Sequence, residues 1–221
     1  MKNIITILLV FFSYLCFSQN KIEQKRNVDV RDSIFIDSLK KVYCYNKKIP
    51  LKYEGPIYLA LSYFPELDSS KIVFKRARIK TTLNARPTVT SLIFNKKTKR
   101  KYIVRINTSI KDSVISIDSI PLNAMIGLYG HEFSHFVDYR NKNIFGVLSR
   151  LIDYVSKKSK EKFEKEIDTN TINRGLGWQL YDWSYYVLYN SNGTKKYKYF
   201  KRRIYLEPEE IKKIITSSNT N

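Results

Sequence analysis

Histidine and cysteine are the scarcest reactive residues in this 221-residue chain, with two of each. Glycine (seven) and proline (six) are also few. That excludes a collagen-like repeat and the Pro/Gly-rich low-complexity class. Acidic residues number 20 against 40 basic ones, so the chain carries +20 at neutral pH and draws anionic partners. After residue 17 no apolar run approaches the ~20 residues that a spanning helix needs, which argues against a multi-span membrane protein. What is present is a 43% apolar composition. It is enough for one core of ordinary size.

The single long apolar run stands at the start. Met1-Lys2-Asn3 precedes an apolar stretch over residues 4–17, and Ser18-Gln19 closes it. One cation, a short apolar core and a polar exit read as a secretory signal peptide over residues 1–19, cleaved near residues 18–19. Export places the chain in the periplasm or outside the cell. Cys16 does not make a lipid-attachment site, because the large Leu15 stands before it. With Cys16 removed, Cys44 has no partner for a disulfide. It reads as a small buried apolar residue, not a nucleophile.

Behind the export segment, residues 20–47 form a polar lead-in and a helix over 33–45. Residues 48–221 form the main domain. Residues 56–64 read as a second helix, opened by Pro56 and stopped by Pro65. Three β-branched stretches, 72–79, 88–94 and 102–106, read as strands, with residues 95–101 as the hairpin connection between the last two. From residue 121 the periodicity turns helical, over 121–140, 145–157, 160–174 and 178–189, with a closing helix over 208–215. Helix, then sheet, then a helical C-terminal half is an α+β layout.

Both histidines fall in one motif, Gly130-His131-Glu132-Phe133-Ser134-His135. On a helix, positions four apart lie one above the other, so His131 and His135 can offer two imidazoles to one ion. Glu132 is rotated by ~100° from His131 and can hold a metal-activated water without occupying the metal. Gly130 leaves a bare side where substrate or a strand can approach. A catalytic zinc needs a third protein ligand, and no other histidine remains. Glu164 and Asp168 stand four apart on the helix expected over 160–174. Glu164 can ligate the ion while Asp168 accepts the second N–H of a ligating imidazole. Glu161, Glu166 and Asp138 are the alternatives.

H-E-x-x-H followed by a helix bearing E-x-x-x-D resembles the gluzincin zinc metallopeptidases. The nearest pattern is that of the CAAX prenyl protease and heat-shock membrane peptidase family, without its transmembrane helices. The resemblance implies a zincin-like fold, with a small twisted sheet packed on the H-E-x-x-H helix. It implies one Zn2+ per chain held by His131, His135 and Glu164, Glu132 as general base, and Asp168 behind an imidazole. The implied function is an exported zinc metallopeptidase acting on a peptide or protein substrate. Tyr139, Arg174, Tyr181 and Tyr185 are candidates to stabilise the oxyanion. The substrate would lie along residues 88–94 or 102–106 as an extended strand.

Two other functions fit the same sequence. One is a cationic polyanion-binding protein whose metal site is structural or vestigial. The other is a metal-dependent hydrolase of a non-peptide envelope substrate. The basic, aromatic-laced run over residues 195–203 suits anionic envelope polymers or a membrane surface better than nucleic acid in an exported chain.

Overall fold

The computed structural model describes residues 23–27, 33–108 and 115–220. The expected export segment, with Cys16, lies outside them. From the N-terminus the chain forms α1 (Ser33–Tyr43), β1 (Lys47–Lys48), α2 (Glu54–Leu61), β2 (Lys71–Ala77), β3 (Leu83–Pro87), α3 (Val89–Phe94) and β4 (Lys101–Asn107). Then come α4 (Leu122–Asn141), α5 (Ile144–Asp153), α6 (Lys157–Thr171), α7 (Gly177–Tyr185), α8 (Lys195–Ile204) and α9 (Pro208–Thr220). This is an α+β fold, mostly helical, with one small mixed sheet.

The sheet order is β1-β2-β4-β3; β1, β2 and β4 run parallel, and β3 pairs antiparallel with β4 at the edge. β4 buries Tyr102, Val104 and Ile106 and leaves the alternate residues half-buried. That period of two marks a sheet covered on one face. The cover is α4. Tyr129, Phe133 and Phe136 recur at helical spacing and are fully buried. Tyr129 meets Phe74 of β2 with ring centroids 6.0 Å apart, and Phe136 meets Tyr102 of β4 at 4.4 Å. Phe133 packs edge-on against Phe64 at 5.7 Å. Burying each such ring contributes on the order of 1.5–3 kcal/mol.

The β-rich section differs from the sequence expectation in one place. Residues 88–94 form α3, not a strand. The Thr88 side chain accepts the Ser91 N–H and caps the helix, and the Ser91 hydroxyl donates to the Lys101 carbonyl. Val89 and Ile93 are exposed, so their β-branched shape has no sheet surface to fit. The strand beside β4 is instead β3, and residues 95–101 carry a 3-10 turn (Lys97–Lys99) leading into β4, not a hairpin connection. Cys44 is exposed, against the expectation that it is buried.

Two glycines on α4 set how closely the C-terminal helices approach. A Cβ on Gly127 would stand 2.2 Å from the backbone of Gln179, so α7 crosses α4 in backbone contact. A Cβ on Gly130 would stand 2.5 Å from the Leu176 side chain. The bare side expected to face substrate or a strand is therefore filled by Leu176. The turn between α6 and α7 is a π-helical segment (Ile172–Leu176) with Gly175 at φ 93°, a conformation that favours glycine. Among the described residues, no helix is long and apolar enough to cross a membrane.

Candidate metal centre

Opposite its sheet-facing aromatics, α4 buries a row of polar side chains: His131, Glu132, Ser134 and His135. Polar groups in that position need partners, and α6 supplies most of them. The Ser134 and Thr171 hydroxyls are hydrogen-bonded at 2.8 Å. His131 Nδ1 lies 2.8 Å from Asp168 Oδ1, while Asp168 Oδ2 accepts the Leu206 N–H at 2.9 Å. Asp168 is thus clamped between α4 and the chain just after α8. With Nδ1 directed at Asp168, Nε2 of His131 points the other way, towards His135 and Glu164.

Three atoms converge there. The Nε2 atoms of His131 and His135 are 3.2 Å apart, and Glu164 Oε2 lies 3.2 Å from the first and 3.4 Å from the second. A tetrahedral ion with bonds of ~2.0–2.1 Å keeps its ligand atoms about 3.3–3.4 Å apart. The triangle has that size. Buried His131, His135 and Glu164 therefore lie close enough to hold a metal ion.

The surroundings favour a cation at the centre. Glu164 Oε1 accepts the Tyr154 hydroxyl at 2.8 Å, whereas Oε2 has no well-directed hydrogen-bond partner. His135 Nδ1 is likewise buried without one; its ring packs against Phe163 at 5.3 Å. Burial pulls the His131 imidazolium down, but Asp168 and Glu164 outweigh it and push the pKa up to about 10. Burial also pushes the Glu164 carboxyl up, yet the two imidazoles win and hold it well below its ordinary range. A field that holds a proton so firmly suits a metal ion in its place. Glu132 answers to burial first and is raised.

The rival carboxylates are engaged elsewhere. Asp138 is held by Arg150 and Lys142 at 2.9 and 2.8 Å. Glu166 pairs with Arg150 at 2.8 Å and Glu161 with Lys165 at 3.4 Å, both on the outer side of α6.

The oxyanion candidates fare less well. Tyr139 is buried, stacked on the His135 ring at 6.0 Å. Arg174 is tied to Glu66 and the Tyr63 carbonyl. Tyr181 and Tyr185 stack on each other at 6.0 Å. None of the four lines the cleft that opens beside Glu132.

That cleft encloses about 590 Å³ including its mouth. His131, Glu132, Thr82, Leu83, Lys201 and Tyr205 are among the residues that line it. The Tyr205 ring lies 5.5 Å from the His131 ring, and Lys201 Nζ sits 3.8 Å above the Tyr205 ring. Tyr154, Lys201 and Tyr205 are the site neighbours that the sequence did not point to. The last two carry a faint signal, since Tyr197, Lys201 and Tyr205 recur every four residues. Leu83 opens β3, so the strand at the cleft is β3; residues 88–94 are helical, and β4 is paired on both sides.

The chain matches no protein-family model, and no curated protein or solved structure shows significant similarity to it.

Proposed function

We propose that the chain is an exported zinc-dependent metallopeptidase of gluzincin type with a zincin-like fold. The observation that carries this reading is the triangle of Nε2, Nε2 and Oε2 atoms, sized for a tetrahedral ion, with the buried Glu132 one residue from a ligand and bordering a cleft. His131, His135 and Glu164 hold the ion. When bound, a zinc ion supplies a Lewis acid for the scissile carbonyl and lowers the pKa of water.

The chain's own groups do the rest. Asp168 fixes the His131 tautomer, and Tyr154 occupies Glu164 Oε1, leaving Oε2 for the ion. Glu132 takes a proton from the attacking water and returns it to the leaving amine; burial raises its pKa towards that task. Among the described residues β3 is paired on one side only, so its other edge can receive an extended peptide as an added strand. Tyr205 and Lys201 line the same cleft as Glu132, where a hydroxyl or ammonium can meet developing negative charge.

Metal analysis and turnover test the reading together. Purified protein should carry about one zinc per chain, with Glu132→Gln keeping the metal and losing ~10²–10⁴-fold in kcat. Protein free of stoichiometric metal, or Glu132→Gln with unchanged turnover, overturns it. Comparing unfolded protein, peptidoglycan peptides and small esters as substrates separates a peptidase from a hydrolase of non-peptide envelope material.

A further inference from the structure

Helix α5 is apolar on the wrong side for a helix that packs only on its own domain. Val147 faces the core and is 1% exposed, yet Phe145 is 75% exposed, Leu148 42% and Ile152 67%. Their spacing of i, i+3 and i+7 puts them on one face. Val155, just past the helix end, continues the stripe at 84% exposure.

A second apolar set stands nearby. Val89, Ile93 and Phe94 of α3 are exposed by 65%, 56% and 81%. The segment after α3 is pinned to the end of α4 from which α5 starts. Arg100 donates to the carbonyls of Tyr139 and Lys142, and Arg140 donates to the carbonyl of Thr98. The chain leaving α3 and the chain entering α5 therefore meet at one corner of the molecule. A patch of this kind on a soluble surface marks an interaction site.

Charge identifies the partner. Residues 89–101 hold five cations and no acid: Lys96, Lys97, Lys99, Arg100 and Lys101. Residues 140–160 hold six cations; Lys142 and Arg150 pair with Asp138, and Arg150 also with Glu166 and Asp153, which leaves Arg140, Lys157, Lys158 and Lys160 outside those pairs. Lys96, Lys97, Lys99, Lys157 and Lys158 are all exposed. Large apolar side chains set among lysines that have no acidic partner among the described residues suit an anionic bilayer, where the apolar face enters the acyl boundary and the ammonium groups meet phosphate. A protein partner of comparable fit would need an acidic rim around an apolar groove.

We infer that α5 and α3 form a docking face for an anionic lipid surface, with Phe145, Leu148, Ile152 and Phe94 inserting and the flanking lysines binding headgroup phosphates. The face adjoins the metal centre, because Tyr154, at the end of α5, donates to Glu164. Docking holds the molecule by the corner that supports a ligand and leaves the cleft lined by β3 and α8 to the substrate.

The test reads the face locally, so lipid binding by any other part of the chain does not mimic it. Full-length Phe145→Trp protein is mixed with vesicles of phosphatidylcholine containing a third phosphatidylglycerol, and the wild-type spectrum is subtracted to remove Trp178 and Trp183. The added Trp should shift to shorter wavelength and be quenched by brominated acyl chains at least twofold more than in Tyr45→Trp, whose site lies beside β1. Lys96→Gln/Lys97→Gln/Lys99→Gln in the same background should weaken the response severalfold, and pure phosphatidylcholine should give little. No shift with either vesicle overturns the proposal, as does an equal response to both. A shift that appears without lipid and grows with protein concentration assigns the face to a second copy and also overturns it. None of these readouts depends on peptidase activity.

Discussion

On the sheet side of α4, Tyr129, Phe133 and Phe136 meet Phe64, Phe74 and Tyr102, and the fold gains free energy from every ring buried. On its other side the same helix buries two imidazoles and a carboxylic acid against α6, where burial costs free energy unless each polar atom finds a partner. The sheet side leaves the neutral hydroxyls of Tyr102 and Tyr129 unbonded. The α6 side leaves a carboxylate oxygen facing two ring nitrogens. An unbonded phenol is a modest loss, whereas a buried carboxylate oxygen depends on the positive charge that the two imidazoles or an ion set beside it. One side of the helix is thus apolar and nearly complete as it stands, and the other gathers three buried ligand-type atoms close enough to hold a metal ion.

The strongest test of that division is Phe133→Ala. Phe133 lies between Glu132 and Ser134 in sequence but points at Phe64. Its loss should destabilise the fold by about 3–5 kcal/mol, seen as a fall in Tm of roughly 6–20 °C. At low temperature metal stoichiometry should stay unchanged. Loss of metal from a still-folded Phe133→Ala protein would show that the two sides are not independent.

Acidity separates the sides next. Without a metal ion, Asp168 and Glu164 outweigh burial and push the His131 pKa up to about 10 from its ordinary 6.5. A raised pKa stabilises the fold fully below pH 6.5, and that contribution fades as pH climbs towards 10. Glu164 is depressed, so its contribution is present above its ordinary 4.5 and fades as pH falls below that value. Metal-free protein should therefore have its highest Tm between about pH 4.5 and 6.5 from these two groups. Metal must displace the His131 proton, so affinity should rise about tenfold per pH unit between pH 7 and 9, with one proton released in calorimetry. Affinity independent of pH across that window would contradict the assignment of His131 as a ligand.

How much of this was legible beforehand follows the same line between local and distant. The site residues stand at i, i+4 spacings on two helices, and a helix turns such spacings directly into shared faces. His131, His135, Glu164 and Asp168 could therefore be read without knowing how α4 meets α6. Residues 88–94 went wrong because β-branched content speaks to packing surface, while the Thr88 cap decided the backbone. β3, with the sequence LNARP, carries almost no strand pattern; its pairing with β4 across α3 creates it. Tyr154 reaches Glu164, and Lys201 and Tyr205 reach the cleft beside it, through tertiary packing. Arg174, chosen for charge and position in the chain, turned instead to Glu66.

A smaller effect isolates the support behind the ligands. Asp168→Asn keeps the shape but removes the negative charge on His131 Nδ1–H. Metal affinity should fall 10–100-fold, with the Leu206 N–H still able to meet the side-chain oxygen. Zinc competition against a chromogenic chelator measures it. An unchanged affinity would mean that the lone pair of His131 needs no fixing.

Tyr154→Phe asks the finest question, because it touches one hydroxyl at the join between α5 and the site. The ring should stay in place, packed edge-on to Phe163 at 5.9 Å, so little of the apolar side is disturbed. What disappears is the 2.8 Å hydrogen bond to Glu164 Oε1. Without it that oxygen competes with Oε2 for the ion, and the carboxylate gains a rotation it must lose on binding. Metal affinity should drop about three- to tenfold, a cost of about 1 kcal/mol in line with one hydrogen bond, while Tm of the metal-free protein moves by only a few degrees. A loss as large as that of Asp168→Asn would make Tyr154 as central to the site as the carboxylate behind His131. No loss at all would mean that packing by α6 alone aims Glu164.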